Sequence, residues 1–234
     1  MSRGNGKQDI FLSKHDREYF LGLLESAVKE CAWTCHSYCL MTNHYHLLIE
    51  TPAGKLSNGM HLINSTYSRT FNNRYERIGH VLQGRYKSRL IKDDNDFLTV
   101  VRYTALNPVK AKLTTDPADW NWSSYNALAG NAAAPQFLDC SLVRSLFASP
   151  DEDGSSEYCM FILQGLQNAL EGDLHHHPTL NELFREVADK ATRKRLMSEA
   201  HYDLGYTMRD IAGFLGVSSS VVSRGIKDYM NERS

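Results

Sequence analysis

A chain of 234 residues with 42 % hydrophobic content can bury one core of about 100 to 150 residues and still carry a smaller second module. The formal net charge of -1 gives no overall electrostatic footprint, so a nucleic-acid surface would have to come from local clustering of charge. No apolar run approaches the roughly 20 residues that span a bilayer, and the opening MSRGNGKQDIF has no signal-peptide core, so a cytoplasmic protein with no membrane partner is expected.

In chain order, KHDREYFLGLLESAVKECA places Phe20, Leu21, Leu23, Leu24, Ala27 and Val28 on one helical stripe. WTCHSYCLM and HYHLLIET read as two strands joined at Thr42-Asn43 and ended by Pro52. A second helix is expected after Ser57, whose hydroxyl suits an N-cap. HVLQGRYKSRLIK is a further strand candidate, and DDNDFLTVVRYTALNP is a helix bounded by its acidic opening and by Pro108, with Asn107 placed as C-cap. Sheet first and helices laid on it make an α+β order. Cys31, Cys35 and Cys39 lack the paired spacing of a zinc ribbon and read as reduced, buried thiols.

The chemistry concentrates in two places. His44 and His46 stand two apart on a predicted strand and therefore share a face, so both imidazoles can converge on one divalent cation while Tyr45 points into the core. Tyr103 and Asn107 are four apart on a predicted helix, which sets a phenol beside an amide oxygen able to be a third ligand for Mg²⁺ or Mn²⁺. A hydroxyl nucleophile with two His and one amide oxygen suits phosphodiester cleavage: the tyrosine attacks, keeps the 5′ phosphate and releases a 3′ hydroxyl.

The blocks SRGNGKQDIF, YCLMTNHYHLLIETP, GHVLQGRYKSRLI, RYTALNPVKA and WNWSSYNALAG resemble, in that order and spacing, the single-tyrosine HUH transposases, most of all the REP-associated tyrosine transposases. The resemblance covers about residues 2 to 130. It implies a ferredoxin-like sheet-and-helix domain, His44 and His46 as the metal pair, Tyr103 as nucleophile, Asn107 as third ligand, and single-stranded, often hairpin-forming DNA as substrate. Relatives differ in whether the tyrosine helix serves its own site or a partner's, so monomer and homodimer are both compatible. In those relatives a strand leads into the sequence matching SRGN, whereas here the first strand is missing or a stub, which would weaken the enzyme through unpaired sheet edges. The competing expectation is therefore a weak or inactive DNA-binding protein that recognises hairpins or regulates transcription.

Charge supports DNA without the resemblance. Arg69, Arg74, Arg77, Arg85, Lys87, Arg89 and Lys92 face a single acid, Glu76, with Tyr75, His80 and Tyr86 between them for base stacking. Further on, ASPDEDGSSE reads as a linker, and the three histidines of LHHHP as an exposed turn rather than a metal site. TMRDIAGFLGVSSSVVSRGIKDY resembles a helix-turn-helix, with Ala212, Gly216 and Val222 at its packing positions and Thr207 and Ser218 as N-caps. Its second helix would offer Ser219, Ser220, Ser223, Arg224 and Lys227 to duplex DNA, at a small helical cost from Gly225. The expected organisation is a transposase domain over 1–130, a linker and helical extension over 131–189, and an all-α helix-turn-helix region over 190–234.

Overall fold

The computed structural model describes residues 1–148, 153–170, 180–185, 189–202, 206 and 208–231. The LHHHP histidines, Thr207 and residues 149–152 of the expected linker lie outside them. The chain divides into two compact units, Met1–Gln167 and Asn168–Ser234.

The first unit is α+β. Its elements are β1 (Ser2–Arg3), α1 (Lys14–Cys31), β2 (Thr34–Leu40), β3 (His44–Glu50), α2 (Leu56–Arg74), α3 (Asp94–Lys110), α4 (Tyr125–Leu128), α5 (Ser141–Ser145) and α6 (Ser155–Leu170). The strands form an antiparallel sheet in the order β1-β3-β2. β2 and β3 are the expected hairpin around Thr42-Asn43, with a bulge between Cys35 and Ser37. Side chains alternate across β3: Tyr45, Leu47 and Ile49 pack into the core of α1 and α2, whereas Leu48 joins Phe97 and Val101 of α3. Helices therefore cover both faces.

The first strand is two residues long, pairing Ser2 with Tyr45 and Arg3 with His44. Its outer side is not bare. The segment 81–87 runs along it, with Gln83 N–H donating to the Arg3 carbonyl at 2.8 Å, Lys87 N–H to the Met1 carbonyl at 2.9 Å, and Gly4 bridging Leu82. At the opposite edge, Leu40 N–H donates to the Trp122 carbonyl at 2.8 Å, and the indole of Trp120 donates to the Leu40 carbonyl at 3.0 Å. Both edges are thus guarded against further strand pairing.

Three local expectations are corrected. HVLQGRYKSRLIK is not a strand: Gly84 within it sits at φ 68°, which breaks the extended run, and only Leu82 forms a bridge. Ser57 does not cap α2; that helix starts two residues earlier than expected, at Leu56 after Lys55, and the Ser57 hydroxyl pairs with the Tyr86 hydroxyl at 3.0 Å. Pro108 does not stop α3, and Asn107 is not its C-cap. The helix runs on to Lys110, because a proline this near the end removes one N–H without disturbing the turns before it.

Asp16 ties the first unit together. It completes a capping box with Ser13 at the start of α1, and its buried carboxylate accepts from Arg74 at 2.6 Å and from the Tyr75 hydroxyl at 2.7 Å. Burial pushes its pKa up, but hydrogen bonds led by Tyr75 and the Ser13 backbone outweigh that and leave it below the ordinary value.

The second unit comprises α7 (Leu180–Leu183), α8 (Lys190–Tyr202), α9 (Met208–Leu215) and α10 (Ser219–Asn231) around Leu196, Met197, Ala200, Ile211, Ala212, Val222 and Ile226. The α9–α10 turn has Gly216 at φ 64°, and Ser218 directly precedes α10, its carbonyl accepting from Val221 N–H at 3.0 Å. Gly225 has a packing reason: a Cβ there would stand 3.0 Å from the Met197 sulfur of α8.

Candidate functional site

β3 and α3 bring the four chemistry-bearing residues together. The His46 ring centroid lies 5.1 Å from that of His44 and 5.2 Å from that of Tyr103, edge-on to each. Tyr103 is 44 % exposed. One turn further along α3, buried Asn107 donates from Nδ2 to the Tyr103 carbonyl at 3.0 Å, and its side-chain amide lies beside His44.

Both imidazoles are held neutral. His44 is lowered to about 4, first by burial and then by the charge of Arg3, with the Asn107 amide oxygen, an acceptor, acting in the opposite direction. His46 is lowered to about 3 by burial, then by His44, the amino-terminal ammonium and Arg3. Asn43 Oδ1 stands 2.7 Å from His44 Nδ1, an arrangement that puts the proton on Nδ1 and leaves Nε2 its lone pair. His46 Nε2 is buried with no hydrogen-bond partner. An orphaned, neutral ring nitrogen is costly as structure and well suited as a ligand.

The residues therefore fit a divalent cation. Two neutral imidazoles and one amide oxygen make a mixed nitrogen and oxygen set, open for further oxygens. Among the described residues no cluster of three or more His, Cys, Asp or Glu could hold a metal, so a cation here would depend on Asn107 and on oxygens brought by a substrate.

The predicted basic surface is only partly available. Arg74 is committed to buried Asp16, Arg77 bonds Gln8 and lies 5.6 Å from the Phe71 ring, and Arg89 pairs with Asp96. Arg69, Arg85 and Lys87 are exposed. Because segment 81–87 pairs with β1, and β1 with β3, it carries Arg85 and Lys87 alongside the strand that holds His44. In the second unit, Ser219, Ser220, Ser223, Arg224 and Lys227 are all exposed on α10, while Val222 and Ile226 face its core.

Two cations at the site are absent from the sequence-based set. Arg3 is the cross-strand partner of His44, and Lys110 Nζ lies 5.4 Å from the Tyr103 ring centroid. Lys110 follows Tyr103 by seven, two helical turns on the same face, and that spacing was a usable signal. Arg3 had none, because only strand pairing brings it to His44.

Chemically, a phenol set beside two imidazoles and an amide is an arrangement able to cleave a phosphodiester. Residues 5–105 match the family described as IS200-like transposase. The match includes His44, His46 and Tyr103 and ends just before Asn107. The chain is also similar to a solved structure of a REP-associated tyrosine transposase bound to a REP hairpin. Sequence identity is 15 %, the TM-score is 0.47, and the alignment covers 59 % of this chain and 81 % of that one. Comparison with curated proteins gave no match. Among the described residues no helix is long and apolar enough to cross a membrane.

Proposed function

We propose that this chain is a metal-dependent transposase for single-stranded or hairpin DNA, working through a 5′-phosphotyrosine on Tyr103. The observation that carries the reading is the convergence of Tyr103, Asn107, His44 and His46, with the orphaned His46 Nε2 beside the exposed phenol. The phenolic oxygen bonds to phosphorus as the bond from phosphorus to the 3′ oxygen breaks. The phenol gives up its proton, and the leaving strand ends in a 3′ hydroxyl. Since the phosphotyrosine remains a diester, a second 3′ hydroxyl can reverse the step and join strands without a nucleotide cofactor.

His44, His46 and Asn107 would hold Mg²⁺ or Mn²⁺, which supplies charge neutralisation and orientation at the scissile phosphate when bound. The His46 ring, edge-on to Tyr103, fixes the phenol's place relative to that phosphate. Arg69, Arg85 and Lys87 would track the strand backbone, and the exposed face of α10 would add duplex affinity.

Tyr103→Phe removes the nucleophilic oxygen and leaves the ring packed against His46. Incubation with 3′-labelled hairpin oligonucleotides, whose label stays on the fragment joined to the protein, should give a labelled covalent adduct with the parent chain and none with the variant, while hairpin affinity stays within about threefold. An adduct that persists in the variant would transfer the role to another tyrosine.

A further inference from the structure

Two cations stand at the site: Arg3 is the cross-strand partner of His44, and Lys110 Nζ lies 5.4 Å from the Tyr103 ring centroid. Arg3 and Lys110 make no ion pair among the described residues, and Arg3 Nε is buried without a hydrogen-bond partner.

Their placement is ordered. Residues directly opposite on antiparallel strands project to the same face, so Arg3 stands beside His44 on the side facing α3. The His46 ring lies 5.1 Å from that of His44 and 5.2 Å from that of Tyr103, and Lys110 Nζ is 5.4 Å from the Tyr103 ring. The Arg3 backbone is fixed on both sides, by β3 and by Gln83 N–H, so its side chain starts from a rigid root. Two unpaired cations beside these residues repel a bare divalent ion, and an anionic group held by both removes that repulsion.

Resting on the transposase reading above, we infer that Arg3 and Lys110 form a two-cation clamp for the scissile phosphodiester, each binding a non-bridging oxygen. Arg3 reaches the phosphate from the His44 side, with its guanidinium able to bind two oxygens at once; Lys110 reaches it as a point charge from the Tyr103 side. The clamp positions phosphorus between the phenol and the donor set. It also makes that set more receptive to a cation once DNA is bound.

The test begins by incubating the parent full-length chain with a pool of hairpin oligonucleotides with random flanks and mapping the linkage cut in the recovered adducts. A scissile-linkage methylphosphonate, which is neutral, is then compared with the ordinary phosphodiester for binding to Tyr103→Phe chains. In that background the neutral linkage should weaken binding about tenfold, the scale of one charge-assisted hydrogen bond. Adding Arg3→Gln or Lys110→Gln should reduce this loss to about threefold or less, whereas Arg3→Lys and Lys110→Arg should restore most of it. Each ratio is taken within one variant, so differences in folded fraction cancel. A tenfold loss unchanged by either Gln substitution overturns the clamp and leaves the transposase reading standing. Failure of the parent chain to form any adduct removes that reading, and the clamp with it.

Discussion

The two units place their functional side chains by opposite means. In the first, His44 and His46 come from one strand, Tyr103 and Asn107 from a helix more than fifty residues later, and Arg3 from a two-residue strand, and the site exists only because the sheet and α3 pack face to face. In the second, Ser219, Ser220, Arg224 and Lys227 belong to a single helix and point to solvent whenever that helix forms. A convergent site depends on the whole core and can hold desolvated, neutral groups. A one-helix surface depends on local packing and keeps its charges in water. Damage to the first should abolish chemistry, and damage to the second should adjust affinity.

The largest effect expected from that contrast falls on the metal pair. His46→Ala should lower Mg²⁺- or Mn²⁺-dependent cleavage at least about a hundredfold, with His44→Ala close behind and Asn107→Ala less damaging because water can replace a neutral oxygen ligand. Calorimetric Mn²⁺ titration of each variant checks the ranking without relying on cleavage. An unchanged titration for His46→Ala would take the metal out of the convergent site.

Next in size is the core beneath it. Asp16→Asn leaves Arg74 facing an uncharged, half-satisfied partner and should cost about 3 kcal/mol at pH 7 in urea unfolding. The sign of its pH dependence follows from a folded pKa below the ordinary carboxylate value. Its stabilisation is complete above that ordinary value and is lost as pH falls through the lower folded value. The gap between parent and variant should therefore persist from pH 7 to about 5 and shrink toward pH 3. A gap that widens on acidification would contradict the assignment.

Smaller still is the packing of α2 on Trp33. A Cβ on Gly59 would lie 2.2 Å from the Trp33 ring, so Gly59→Ala should destabilise by about 1 to 3 kcal/mol despite its better helix propensity, lowering the melting temperature of the first unit. The second unit should give the mildest response. Arg224→Ala should flatten the slope of log duplex affinity against log salt by about one unit while hairpin cleavage is retained. Weakening that is equal at every salt concentration would point to lost packing.

Periodicity alone determined much of this protein. A period of two fixed that His44 and His46 share a face opposite Tyr45, and a period near 3.6 fixed that Tyr103 and Asn107 do. Small and apolar spacing located the α9–α10 pair with its Gly216 turn, because a helix and its turn are specified by neighbours in the chain. Only the tertiary structure decided the rest. Segment 81–92 is rich in strand-forming residues, yet Gly84 at positive φ and hydrogen bonds to Met1 and Arg3 make it a loop that carries Arg85 and Lys87 along β1. Arg74 looked like part of a DNA surface and is held by a buried carboxylate 58 residues away. Proline at 108 reads as a helix stop, but its place in the last turn let α3 continue to Lys110 beside Tyr103. Side-chain direction is a local property of the backbone, whereas which two faces meet is set by a core that forms only when distant segments bury their apolar surface together.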